Sequence, residues 1–119
     1  MVAKGEKKGA AAITFETTTH DFGNIREDGG PKKCEFVFTN TGNAPLVIIS
    51  ATASCGCTRP QFPKEPIKPG KSGKITVTFL PLGHPGEIYK DVKVRTNAPD
   101  NKRIKLKLRG AVIPSKSKR

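Results

Sequence analysis

Three cysteines and two histidines carry whatever soft-ligand or redox chemistry this 119-residue sequence can do. Cys55 and Cys57 bracket Gly56 in the run Ser54-Cys55-Gly56-Cys57-Thr58, and Cys34 stands alone upstream. On an extended chain the Cα atoms of Cys55 and Cys57 would lie about 6.6–6.8 Å apart, at the far end of disulfide range. A bond between them needs a tight turn, which Gly56 permits. Two thiolates on one face can instead clamp a soft cation such as Cu(I) or Zn(II). A tetrahedral ion then needs two further donors, and His84, His20 and Cys34 are the remaining sulfur and imidazole candidates. A plainer reading also stands: both cysteines continue the odd-numbered apolar positions Val47, Ile49, Ala51 and Ala53 and fill a core. The pattern leaves core packing, a disulfide or redox role (with Cys34 as an alternative partner) and metal binding open.

Charge is the second source of chemistry. Lys and Arg number 22 against 10 Asp and Glu, a formal net charge of +12, which draws a domain toward polyanions. The turn Asn97-Ala98-Pro99-Asp100-Asn101 separates two alternating runs. If it closes a symmetric hairpin, Arg95 faces Arg103, Lys93 faces Lys105, Asp91 faces Lys107, and Arg109 extends the row. Like charges directly across a ladder destabilise by a few tenths to ~1 kcal/mol per pair. Lys93, Arg95, Arg103, Lys105, Lys107 and Arg109 therefore form a candidate phosphate-contacting face that would not read base sequence. Lys4, Lys7, Lys8, Lys116, Lys118 and Arg119 would reinforce it. The alternative is positive charge guarding an edge strand against aggregation. Tyr89 is the one aromatic expected on this face, too few for a base-stacking platform.

Catalytic signatures are missing. The sequence has no nucleophile elbow, phosphate loop or metalloprotease helix. His20-Asp21 is adjacent only in sequence, and His84 lies in a Gly/Pro loop. The expectation is a non-enzymatic protein that needs no cofactor.

The elements that must position these residues are strands. Gly 12 and Pro 10 punctuate the chain with turns and argue against long helices. Period-two alternation marks strands over 13–17, 32–40, 45–57, 73–80, 88–96 and 103–112. Residues 20–25 read as a turn or bulge whose Phe22 and Ile25 plug the sandwich edge, and Asn40-Thr41-Gly42-Asn43 as a hairpin-type turn. Pro60, Pro63, Pro66 and Pro69 recur every three residues, the polyproline II period, so 59–70 is expected to cross extended from one sheet to the other. The fold class that follows is all-β, a two-sheet immunoglobulin-like β-sandwich of about seven strands over 12–114. A disordered basic leader (1–11) and a basic tail (115–119) flank it.

Several segments together resemble the bacterial DUF1573 family. They are His20-Asp21-Phe22-Gly23, Phe36-Val37-Phe38-Thr39-Asn40-Thr41-Gly42 and Ser54-Cys55-Gly56-Cys57-Thr58, followed by Ile67-Lys68-Pro69-Gly70-Lys71-Ser72-Gly73, Pro85-Gly86, Arg95-Thr96-Asn97 and Leu108-Arg109-Gly110. The resemblance runs from Phe15 to Pro114 in order. It implies an immunoglobulin-like domain related in architecture to the ASH/Hydin and major-sperm-protein group. It implies no enzymatic activity, and export for many members.

The expected function is a binding module whose basic face docks an acidic partner, with RNA or a ribonucleoprotein as the nucleic-acid case. Alternatives are a cell-envelope metal or redox protein using Cys55, Cys57, Cys34 and His84, or an adaptor for a protein partner acting through a sheet edge. No apolar run approaches the ~20 residues of a membrane span, so no membrane insertion is expected. The chain is expected in the cytoplasm if Met1 is the native start, and in the periplasm or envelope if a signal peptide was trimmed.

Overall fold

Alternating apolar and polar positions produce strands that can bury one face each. The computed structural model describes residues 9–114 and contains eight of them. These are β1 (Ile13–Phe15), β2 (Thr19–Arg26), β3 (Lys32–Asn40), β4 (Ile48–Ala53), β5 (Thr58–Gln61), β6 (Ser72–Phe79), β7 (Gly86–Thr96) and β8 (Arg103–Ile113). They form two four-stranded sheets, ordered β1-β3-β6-β5 and β2-β8-β7-β4. This is the all-β, immunoglobulin-like sandwich expected, with eight strands rather than about seven. No helix among the described residues is long and apolar enough to cross a membrane. The basic residues Lys4, Lys7, Lys8, Lys116, Lys118 and Arg119 lie outside the described residues, as does most of the expected leader and the whole expected tail. Ala11 is buried, and Ala10 exchanges hydrogen bonds with Asn43, so this short stretch packs on the domain.

The core lies between the sheets. Cys34, Phe36 and Phe38 from β3 meet Ile75, Val77 and Phe79 from β6, and Val92, Val94, Leu106 and Leu108 close it from β7 and β8. Each large apolar side chain so buried stabilises by roughly 1.5–3 kcal/mol. The parity read for β3, β6 and β8 holds.

Local readings differ in four places. Residues 20–25 are the body of a full strand, β2, which runs parallel to β8 with a bulge between Asp21 and Asn24. Gly23 supplies the positive φ of 69° that the bulge needs, and the Asp21 carboxylate accepts from its N–H at 2.7 Å. A Cβ at Gly110 of β8 would come within 2.8 Å of the Gly23 carbonyl, so the two glycines let β2 and β8 meet.

Second, 40–43 is not a hairpin, because β3 and β4 belong to different sheets. The chain crosses there, and two asparagine side chains hold its backbone. Asn40, fully buried, donates to the Ala44 and Ile67 carbonyls at 2.8 Å each and accepts from Gly42 N–H at 2.9 Å. Asn97 accepts from Val47 N–H at 2.8 Å and donates to the Pro45 carbonyl at 3.2 Å.

Third, β4 carries a bulge between Ile48 and Ser50, so its parity reverses there. Leu46 and Ile48 are buried and Ile49 is 49% exposed, whereas Ala51 and Ala53 pack on the core. Strict alternation through Ile49 therefore fails. Fourth, the proline-rich stretch 59–70 does not cross between sheets: the chain changes sheet at 54–57, between β4 and β5, and β5 then pairs with β6 at the edge of the same sheet, where Pro60 removes no central ladder bond.

Candidate functional site

β4 stops at Ala53, so the alternation that would aim both cysteines inward stops there too. Residues 54–57 turn instead, with the Thr58 N–H donating to the Cys55 carbonyl at 3.1 Å. The turn brings the Cys55 and Cys57 Cα atoms to 5.2 Å, and their sulfurs are joined as a disulfide. Cys57 is buried and Cys55 half-buried, so core packing describes only part of the pair. The Cys57 carbonyl accepts from Leu80 N–H at 2.8 Å, which ties this turn to the chain leaving β6. The following loop is folded by His84 N–H donating to the Pro81 carbonyl at 2.9 Å and by Gly83 N–H donating to the buried Glu27 carboxylate at 2.8 Å. The result places the His84 imidazole at the sulfur pair. The donor atoms of Cys55, Cys57 and His84 all lie within 4.8 Å of one another.

The other two donors considered for this site are elsewhere. His20 sits on β2 with its ring edge-on to Phe22, centroids 4.6 Å apart. Cys34 is buried on β3 opposite Val77 and remains a free thiol. Burial, helped by the charge of neighbouring Glu35, pushes its pKa from 9.0 up to about 12. The folded state therefore holds the thiol proton more tightly than the unfolded state. The stability this contributes is complete below pH 9.0 and is lost as pH rises from there toward about 12. At pH 8 and without reductant, iodoacetamide should leave folded Cys34 unlabelled and add one label per chain in urea, read by mass spectrometry. Labelling of the folded chain would contradict this burial.

The basic residues come together as the charge pattern indicated. β7 and β8 pair with Arg95 opposite Arg103, Lys93 opposite Lys105, Asp91 opposite Lys107 and Tyr89 opposite Arg109. Lys93, Arg95, Arg103, Lys105 and Lys107 are exposed on the outer face, and Arg109 is half-buried there. Asp91 is the acidic group among them, 4.0 Å from Lys105 and 3.7 Å from Arg109. Among the described residues, Lys93, Arg95, Arg103 and Lys107 enter no ion pair. The Arg109 guanidinium lies 4.6 Å over the Tyr89 ring, which occupies that aromatic face.

One expectation changes here. β7 and β8 are the two central strands of their sheet, flanked by β4 and β2. Lys93 and Arg95 lie where β7 is paired with both β4 and β8, so edge guarding does not account for them, whereas β2 meets β8 only from Lys107 onward and leaves the Arg103 and Lys105 stretch paired on one side. Two adjoining shallow clefts, of about 400 and 540 Å³, share Arg95 and Arg103. They add Thr52, Lys102 and the outward Ile49 to the surface. Ile49 could not have been read as outward, since nothing in its residue type marks the bulge that turns it.

The segments that carried the family resemblance now have positions: the parallel edge, the two asparagine clamps, the sulfur turn and the close approach at Gly110. The DUF1573 family model, described as a protein of unknown function, matches residues 13–112. The chain belongs to the DUF1573 family. No curated protein matches this DUF1573 chain in sequence. Among solved structures, a protein of unknown function from Porphyromonas gingivalis W83 is 22% identical with a TM-score of 0.71, over 87% of this chain and 46% of that one. The chain thus spans about half the length of that relative. The seventh ASH/PapD-like domain of human CEP192 is 13% identical with a TM-score of 0.66, covering 90% and 89% of the two chains. The VesB protease of Vibrio cholerae is 15% identical with a TM-score of 0.65, over 91% of this chain and 33% of that one. At these identities the likeness is one of fold, and the fold is that of an immunoglobulin-like, PapD-like domain.

Proposed function

We propose that this DUF1573 domain is a non-enzymatic binding module that docks an acidic partner on the outer face of β7 and β8, with RNA or a ribonucleoprotein as that partner. The observation that carries the reading is the pair of like-charged rungs, Arg95–Arg103 and Lys93–Lys105, whose β7 residues are flanked by β4 and β8. Such rungs oppose folding, and edge protection does not account for their Lys93 and Arg95 halves, which lie between two paired strands. Contact with a phosphate chain does. Tyr89 is engaged by Arg109, so base stacking adds little and binding is sequence-independent. On this reading the chain works in the cytoplasm, where RNA is available to it.

Strand addition fits the molecule less well. β1 has three residues, β5 contains Pro60, and β2 and β4 both carry bulges, so every sheet edge is blunted. The test is fluorescence anisotropy of the full chain with a labelled homopolymer RNA across a salt series. About five phosphate contacts at roughly 0.7 per contact give a log–log slope near −3.5. Binding that ignores salt would remove the proposal.

A further inference from the structure

The basic face makes no use of the sulfur turn at the far end of β4, which has its own donor set. We infer that Cys55 and Cys57, once reduced, join His84 as a three-coordinate site for Cu(I). Two thiols and an imidazole already stand within 4.8 Å of one another. Metal–sulfur and metal–nitrogen bonds of about 2.0–2.3 Å place the donors of one ion about 3.5–4 Å apart. Opening the S–S bond and a shift of less than about 1 Å at His84 meet that requirement. His84 is exposed, in a loop bounded by Gly83 and Gly86, both with positive φ (83° and 110°), so its imidazole is free to adjust.

The donor set selects the ion. Thiolates are soft ligands and favour Cu(I). A closed zinc site needs four protein ligands, and among the described residues no further His, Cys, Asp or Glu joins the three. Two thiolates balance a monovalent cation to a net charge of −1, which a domain carrying +12 tolerates readily.

Loading has two steps. An external thiol reductant opens the disulfide: two RSH give up two electrons and two protons, RS–SR forms, the Cys55–Cys57 bond breaks, and each sulfur leaves as a thiol. Cu(I) then displaces the two thiol protons to solvent and takes the lone pair of neutral His84, with no change of oxidation state. The oxidised pair offers no thiolate, so the site is gated by the thiol poise around it.

The experiment is an anaerobic Cu(I) titration of the full chain, reduced with a phosphine, against the chromophoric chelator bicinchoninate. One Cu(I) per chain is expected, with sulfur and nitrogen neighbours in X-ray absorption. The unreduced chain should take none, and Cys34→Ser should change nothing. Cys55→Ser with Cys57→Ser should abolish uptake. His84→Ala, at an exposed loop position that leaves the core intact, should weaken binding by about tenfold or more and remove the nitrogen neighbour. That second variant keeps the test decisive if the cysteine variant fails to fold, which circular dichroism checks. No uptake by the reduced chain, unchanged affinity in His84→Ala, or displacement of Cu(I) by equimolar Zn(II) would each overturn the assignment.

Discussion

Replacing Asn40 by Ala should remove about 3 kcal/mol of stability, far more than an exposed loop substitution would. The side chain is fully buried at the end of β3 and serves three segments at once. It donates to Ala44 and Ile67 carbonyls and accepts from the N–H groups of Gly42 and, at 3.4 Å, Ala12. The Ile67 carbonyl keeps its bond from Leu46 N–H, so the penalty falls mainly on Ala44 and Gly42, with a smaller share on Ala12 N–H at 3.4 Å. Each buried group left unpaired costs roughly 1–3 kcal/mol. For a domain of this size that is a fall in Tm of roughly 12–20 °C. Asn40→Asp should be worse, because it keeps an acceptor but aims a buried negative charge at two carbonyl oxygens. Urea unfolding with an unchanged m-value would confirm the mechanism. A loss below about 1 kcal/mol would show that water replaces the amide without penalty.

The second large effect separates binding from folding. Reversing Lys93, Arg95, Arg103 and Lys105 to Glu lowers the formal net charge from +12 to +4, since four reversals subtract eight. RNA affinity at fixed low salt should fall on the order of 10³-fold, and the salt slope should flatten toward zero. The single change Arg103→Glu is the more telling one. It turns a repulsive rung with Arg95 into an attractive one, so the domain should gain about 0.5–1 kcal/mol while its RNA affinity falls roughly tenfold. Opposite signs for stability and affinity are what a surface kept for a ligand should give. A variant that is both more stable and equally good at binding would remove the proposed face.

The sequence revealed most where one side chain faces one environment. Phe36, Phe38, Val77, Phe79, Leu106 and Leu108 recur at every second position of their strands and all proved buried. The β7–β8 register was legible because a short turn between two long runs leaves one symmetric pairing, and Arg95–Arg103 followed from it. What escaped detection depends on non-local pairing. Residues 20–25 look like a turn because Gly23 and Asn24 are turn formers, yet they form an edge strand by pairing with β8, far along the chain. The bulge that turns Ile49 outward has no glycine to announce it. His84 belongs with Cys55 and Cys57 only because Leu80 N–H bonds to the Cys57 carbonyl and fixes where the loop begins. The same distance-blindness hid Asn40 and Asn97, whose residue type suggests turns when their work is to clamp a crossing between sheets.

The pairing of β2 with β8 also sets when this protein can fold. Thr19 meets Lys107 across 88 residues (107 minus 19), and their strands lie parallel. A chain emerging from the ribosome has no partner for β2 until β8 has been made. Until then β2 has no strand to pair with, and the β2-β8-β7-β4 sheet lacks the strand that joins β2 to β7. Folding of such non-local β topologies takes milliseconds to seconds, against microseconds for locally connected helices. Apolar faces of this sheet therefore stay exposed until β8 has been made, and like charge on neighbouring copies disfavours their association in that state.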